Sequence, residues 1–309
     1  MKVISDAADL NPGPRSVCAA IGVFDGVHLG HQHVLRQTIA EAERHGAVAA
    51  AVTFDRHPNA VVAPAHVPPL IYPLDKKLEV IASCGVEAAC VIRFDKAFSQ
   101  IPGEQFIRDL ARDFRQIQSI CVGAEFGFGA HRSGNVALME KLGAELGFAV
   151  HALRDVELDG QSVSSTRIRD AIRAGDFGLA SRMLARPYVL RGAVIQGEHL
   201  GRKLGFPTAN LDVTGLVTPP LGVYAAMADM GASQFRAAVN IGHRPTIHSA
   251  DPQLHVEAHL LDFEGDLYGK ALELTFVKKL RDEKKFPDLA ALRAQIASDV
   301  ERARKENPI

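Results

Sequence analysis

Two histidines, His28 and His31, close a glycine-rich stretch that reads Gly22-Val23-Phe24-Asp25-Gly26-Val27-His28-Leu29-Gly30-His31. It follows the apolar run 17–23 and precedes a helix-patterned run over 32–45, so strand, tight loop and helix N-terminus succeed one another. A helix N-terminus offers unbonded N–H groups and partial positive charge to an anion. Imidazoles beside it can donate hydrogen bonds to phosphate oxygens while the phosphorus is attacked, stabilising charge on the transferring group. Phe24 and Asp25 lie in the loop itself, and Gly22, Gly26 and Gly30 keep side chains clear of its backbone. Zinc binding is the weaker reading, because His-Glu-x-x-His spacing is absent and no cysteine or carboxylate falls at a ligand interval. The plain alternative is a glycine turn carrying two surface histidines.

Ser164-Ser165-Thr166-Arg167-Ile168-Arg169 is a second phosphate-seeking element, with hydroxyl residues of N-cap type and two arginines at the start of an expected helix. Arg167 and Arg169 are two apart and project to different sides, so only one need face a substrate. A third stretch, Gly201-Arg202-Lys203-Leu204-Gly205-Phe206-Pro207-Thr208-Ala209-Asn210, sets Thr208 and Asn210 after a stiff proline turn. Their oxygens suit Mg2+ that keeps most of its waters and bridges nucleotide phosphates. No Gly-x-x-x-x-Gly-Lys-Ser/Thr loop occurs, which excludes a conventional P-loop kinase, and the absence of Gly-x-Gly-x-x-Gly after the first strand argues against an NAD-type oxidoreductase. Further on, period-two alternation puts Glu257, His259 and Leu261 on one strand face. A carboxylate there could take the proton of an attacking hydroxyl; the bland reading is a surface glutamate.

These groups need a frame, and the hydrophobic pattern supplies two kinds. Apolar runs at 17–23, 48–54, 88–92, 119–122 and 149–153 alternate with helical patterns at 32–45, 74–84, 103–114 and 136–146, the mark of βαβ units on a mostly parallel sheet. Two more helical patterns, 166–174 and 177–184, close that half. From Tyr188 short strands take over, at 188–194, 222–228, 235–240, 255–263 and 271–277, separated by Gly, Pro and Asp turns. Leu289, Leu292, Ile296 and Val300 then mark one face of a terminal helix. This predicts an antiparallel barrel or meander with a C-terminal helix, and a boundary at Arg186-Pro187 that gives domains 1–185 and 186–309.

With 309 residues, 47% hydrophobic, the chain is long enough for two domains with sizeable cores. A formal net charge of −1 provides no global field for nucleic acid, so phosphate must be held by local groups. Cys18, Cys84, Cys90 and Cys121 lack paired spacing and are expected as buried, reduced thiols; with no leader and no window of membrane-span length, the expectation is a cytoplasmic enzyme without a membrane partner.

The two early elements together resemble the nucleotidyltransferase superfamily with a His-x-Gly-His motif. The fuller likeness is to the bacterial bifunctional riboflavin kinase/FAD synthetases. Residues 22–31 look like that family's first motif, Thr53-Phe54-Asp55-Arg56-His57-Pro58 is similar to its second, and Ser164 to Arg169 to its last. The second half resembles the riboflavin kinase module in four ordered motifs: 201–210, Gly222-Val223-Tyr224-Ala225, Asn240-Ile241-Gly242-His243-Arg244-Pro245-Thr246, and Val256-Glu257 continuing through Asp262-Phe263 to Leu267-Tyr268-Gly269. The resemblance implies a Rossmann-like α/β nucleotidyltransferase domain followed by a six-stranded antiparallel β-barrel. The chain would phosphorylate riboflavin to FMN with ATP and then adenylylate FMN to FAD with release of pyrophosphate.

On this likeness His28, His31 and Arg167 act on the ATP phosphates and Glu257 is the base for the ribityl 5′-hydroxyl. Gly22, Phe24, Asp25, Gly30, Ser164, Ser165, Thr166 and Arg169 bind the first nucleotide; Gly201, Lys203, Gly205, Thr208 and Asn210 bind the second, the last two with Mg2+. Phe54, His57, Pro58, Glu125 and Arg281 touch flavin. Partners are riboflavin, FMN and ATP, with a homo-oligomer left open. Two departures stand out. Where the family usually has Asp or Asn, and often an arginine before the last Phe, this chain reads Glu125-Phe126-Gly127-Phe128, which motivates an alternative: a monofunctional riboflavin kinase with an inactive or regulatory N-terminal domain. Ala185 stands where glycine is common.

Overall fold

The computed structural model describes residues 1–197, 200–231, 233–244 and 253–306, without the side chains of Leu200, Lys203, Arg244 and Gln253. It divides into two compact units, 1–167 and 168–309.

The first unit is built on a six-stranded sheet: β1 (Lys2–Ile4), β2 (Val17–Ile21), β3 (Val48–Phe54), β4 (Ala88–Ile92), β5 (Ile117–Gly123) and β6 (Ala149–Leu153). Every pairing is parallel, in the order β1-β4-β3-β2-β5-β6. β2 and β3 are buried along their whole length, as expected of central strands covered on both faces. Their many alanines leave little room between sheet and helices, and α1 (Leu29–His45) fills it with Val34, Leu35 and Ala42. The other helices here are α2 (Asn59–Val62), α3 (Leu74–Ser83), α4 (Gly103–Asp113) and α5 (Val136–Leu146), and a hairpin of β7 (Glu157–Leu158) with β8 (Gln161–Ser162) precedes α6 (Ser165–Ala174). After β2 the chain goes to one side through β3 and β4, then returns to β5 on the other. The carboxyl end of β2 is therefore a topological switch point, where such sheets open a crevice for ligands.

The second unit takes up most of α6 from Ile168 on and continues with α7 (Phe177–Leu184) and a closed antiparallel barrel: β9 (Val189–Ile195), α8 (Leu200–Leu204), β10 (Ala209–Asp212), β11 (Gly222–Asp229), β12 (Gln234–Arg244), β13 (Gln253–Leu260) and β14 (Ala271–Arg281). Alternation sends Leu190, Tyr224, Val239, Val256, Ala258, Leu274 and Phe276 inward, all buried. Phe177 of α7 stacks on Phe276 at 5.1 Å. Outside, α9 (Leu289–Lys305), capped by Asp288 at the Ala291 N–H, lies on β11, β12 and β14.

The element types agree with the pattern reading, and differences cluster at ends. Helix α1 starts at Leu29 rather than 32 because His28 itself is the N-cap, an unusual residue for that role. β1 and β10 have only three and four residues, too few to show a period. β13 stops at Leu260, short of 263, because Asp262 turns left-handed at φ 60°, while β14 runs on through polar Lys278 and Lys279 to Arg281. Leu289 is 60% exposed, so the apolar face of α9 begins one turn later, at Leu292. All four cysteines are free thiols, and Cys84 is only half-buried where burial was expected.

Ala185 caps α7 in the left-handed conformation, φ 55°. An L side chain is strained there and glycine is not. Ala185→Gly is expected to raise stability by about 0.5–1 kcal/mol, read from urea denaturation midpoints; an unchanged or lower midpoint would refute the strain.

Candidate active sites

The first site grows out of the switch point. Leaving β2, the chain makes a turn in which Phe24 (φ 52°), Gly26 (φ 77°) and Val27 (φ 43°) are all left-handed. Such conformations cost a bulky residue about 1–3 kcal/mol each and persist only where surroundings over-determine them. Here Phe24 and Val27 are fully buried, the Ile71 N–H donates to Asp25 Oδ1 at 2.9 Å, and Ser165 Oγ donates to the Asp25 carbonyl at 2.9 Å. The loop thus ties the late serine element to the early histidine element.

His28 folds back over the start of α1, its Nδ1 accepting from the His31 N–H at 3.4 Å. Nδ1 is then without a proton, so the ring is held as the tautomer with hydrogen on Nε2. The His28 and His31 rings stack at 3.6 Å, 20° from parallel, and Phe24 meets His31 edge-on at 5.3 Å. Gly30 makes this compatible with a helix: a Cβ there would lie 3.2 Å from His28 Cε1.

Lys77, which the sequence reading passed over, braces the loop from below. Its ammonium donates to the carbonyls of Val23 (3.3 Å) and Phe54 (2.8 Å) and to Thr53 Oγ1 (3.1 Å), joining the ends of β2 and β3. Its signal was its place on the apolar face of α3 with Leu74, Leu78 and Ile81. Burial pushes its pKa from the ordinary 10.5 down to about 8, against the pull of Asp25 and Asp55. Above pH about 8 the folded chain releases this proton while the unfolded chain keeps it up to about 10.5, so this group's contribution to stability rises with pH through that window even as a brace bond is lost. Lys77→Met is expected to lower the first site's turnover and to abolish a decline of its rate above pH about 8. A wild-type profile flat through that range would refute the coupling.

The other first-site candidates are held in different ways. Phe54 meets Phe94 and Phe98 at 5.3 and 6.0 Å, and His57 Nδ1 accepts from the Asn59 N–H, with Pro58 opening α2. Gly22 sits under the Phe24 ring. Ser164 Oγ caps α6 at the Arg167 N–H, and Thr166 is exposed. The Arg167 guanidinium donates to the carbonyls of Leu158 and Gln161, both at 3.0 Å, whereas Arg169 is buried. Glu125 is exposed.

At the second site, Asn210, Glu257 and Asn240 are direct neighbours across β10, β13 and β12, one rung of the barrel. Pairing across antiparallel strands turns all three to the same face, away from the buried interior of Val256 and Ala258. Thr208 precedes this rung in a turn closed by the Phe206 N–H on Gly201 O (2.8 Å), with Gly205 at φ 91°. His259 holds the turn through Nδ1 to the Pro207 carbonyl, 2.8 Å, and meets Phe206 edge-on. The Lys203 side chain lies outside the described residues.

Between this face and α9 is a cavity of about 310 Å3, lined by Thr208, Asn240, Glu257, Phe286, Leu292 and Ile296. Arg281 forms part of its wall but is paired with buried Asp299 at 2.8 Å. Thr208 also lines a second cavity, about 340 Å3, with Arg202, Phe263 and Tyr268. The two cavities share Thr208, and its hydroxyl, the Asn240 amide and the Glu257 carboxylate line the first, setting a few polar groups among apolar walls. Asn240 and His259 were not singled out as site residues in the sequence: strand register puts Asn240 beside Glu257, and the bond to the Pro207 carbonyl brings His259, already on the Glu257 face, to the Thr208 turn.

Comparison with known proteins bears on both sites. A family model described as FAD synthetase matches residues 11–167, and one described as riboflavin kinase matches 184–307. Proteins named bifunctional riboflavin kinase/FMN adenylyltransferase are 36% identical in Pseudomonas fluorescens (98% of this chain, 97% of that one) and in Escherichia coli K12 (99% and 97%), and 34% identical in Bacillus subtilis (92% and 90%). A solved structure from Streptococcus pneumoniae, titled a macrolide-efflux protein, superposes with TM-score 0.80 at 26% identity, over 99% of each chain. Among the described residues no helix is long and apolar enough to cross a membrane.

Proposed function

The chain belongs to the family of bifunctional riboflavin kinase/FMN adenylyltransferases, and we propose that residues 1–185 and 186–309 each carry one of its two reactions. The enzyme phosphorylates riboflavin to FMN with ATP and transfers AMP from ATP to FMN, giving FAD and pyrophosphate. Both family models match within one chain, which favours this over a kinase with a silent first domain.

In the kinase half the riboflavin ring lies in the cavity under α9 and the nucleotide on the other side of Thr208. Glu257 accepts the proton of the 5′-hydroxyl, and Asn240 and Asn210 flank it on the same rung. Thr208 and Asn210 would hold Mg2+ by their side-chain oxygens, a donor set that fits a hard cation otherwise bound to water and phosphate; when bound it neutralises charge on the phosphates. No cluster of His, Cys, Asp and Glu ligands is needed for that. Arg281, held by Asp299 in the cavity wall, borders the flavin.

In the adenylyltransferase half no base is required, because the FMN phosphate is already an anion. The His28 Nε2–H, His31 and the N–H groups opening α1 surround the phosphorus under attack, Arg167 and the α6 hydroxyls hold the remaining phosphate oxygens, and Phe54, His57, Pro58 and Glu125 border the flavin. We place this chemistry in the cytoplasm, on small molecules. What carries the assignment is the His28–His31 stack at the α1 N-terminus together with the Asn210–Glu257–Asn240 rung in one chain. Chromatography of flavins formed from riboflavin or from FMN with Mg-ATP tests it: FAD from both is the expected result, and FMN accumulating without FAD would overturn the first assignment.

A further inference from the structure

Gly127, the position without a side chain in the Phe126-Gly127-Phe128 motif, has a counterpart in Arg132. A Cβ on residue 127 would lie 2.8 Å from Arg132 Nη2, 3.0 Å from Nε and 3.2 Å from Cζ. The guanidinium therefore lies flat against the Gly127 backbone, in the space that any side chain at 127 would claim. It reaches this seat through a turn in which His131 (φ 52°) and Arg132 (φ 55°) are both left-handed, strain that only a fixed frame sustains. The frame is present: the Arg132 N–H bonds Gly129 O at 3.0 Å, Ser133 Oγ accepts from the Gly103 N–H at 3.0 Å, and Gly134 and Phe128 bridge.

The strained turn delivers a charge with nothing to neutralise it. Among the described residues the Arg132 guanidinium has no hydrogen-bond or ion-pair partner and is exposed, whereas Arg108 and Arg112 each hold two carboxylates. Strand order shows which loop its own starts beside. Ala20 of β2 pairs with Cys121 of β5, so two residues on, Gly22 and Gly123 leave the sheet side by side, one into the histidine loop and the other into the loop bearing Arg132. An uncommitted planar fork at the rim of an anion-binding crevice matches phosphate oxygens, which it can grip bidentately.

We propose that Arg132 is a phosphate-binding residue of the first site, seated by the missing side chain of Gly127, where the resembling motif often has an arginine. This rests on the assignment of adenylylation to the first unit. The phosphate is that of FMN or of the ATP chain, and kinetics separate them. Arg132→Ala in the full chain is expected to lower kcat/KM for FAD formation by about tenfold to a hundredfold, the worth of hydrogen bonds to a charged group, with riboflavin phosphorylation and Tm unchanged; Arg132→Lys should recover part. A rise in KM for FMN alone identifies the flavin phosphate, and a rise for ATP alone the triphosphate. Unchanged adenylylation in Arg132→Ala, or an equal fall in both activities, overturns the proposal. If His31→Ala abolishes FAD formation in the same assay, the site assignment survives that failure.

Discussion

His31→Ala is expected to slow adenylylation of FMN about a hundredfold or more while riboflavin phosphorylation continues at its normal rate. The ring stands at the N-terminus of α1, stacked on His28 and set edge-on to Phe24, so its donor is fixed before substrate arrives. A preorganised donor aimed at charge that develops during reaction costs about 3 kcal/mol when removed. Alanine keeps the helix start, because the bond to His28 Nδ1 comes from the backbone of residue 31. The measurement is FAD formation from FMN and Mg-ATP, with FMN formation from riboflavin as the internal control. An unchanged adenylylation rate would remove His31 from the mechanism, and a parallel loss of kinase activity would point to misfolding.

Glu257→Gln should do the converse. Glutamine keeps the size and the rung with Asn210 and Asn240 but cannot take up the proton of the 5′-hydroxyl. Loss of a general base lowers such rates by about 10²–10⁴-fold. FAD formation from supplied FMN should be untouched, while FAD formation from riboflavin should fall with the kinase step. Retention of kinase activity within a fewfold of wild type would mean that the hydroxyl gives up its proton elsewhere. Loss of both activities in a variant with normal Tm would refute two independent sites.

The contrast between His28 and Lys77 shows where sequence reading stops. His28 was legible because a glycine-rich loop between an apolar run and a helical run leaves few places for its side chain to go. That it is also the N-cap, and so held in one tautomer, depends on a backward fold of the ring that Gly30 permits and no spacing rule encodes. Lys77 lies far from the histidines in sequence, on a helix whose apolar face it interrupts. Only the parallel pairing of β2 with β3 brings Val23 and Phe54 together for its ammonium to bridge. Arg281 adds to this, since its motif position suggested a ligand contact and the fold sets it in the cavity wall with a buried partner, Asp299, that no spacing showed.

Pattern and side-chain type marked an α/β half, an antiparallel barrel or meander and phosphate-seeking loops, and the family resemblance supplied the six-stranded barrel and the two reactions. The part read from pattern follows from local periodicity, turn residues and side-chain type, which act over a few residues. The tertiary structure alone decided which groups meet. Strand register set Asn240 beside Glu257, and sheet order made the histidine loop and the 124–134 loop follow adjacent strands. The left-handed turn at His131 and Arg132 laid a guanidinium on Gly127. Register and sheet order are fixed by burial summed over the whole core, a long-range quantity that the local pattern does not carry.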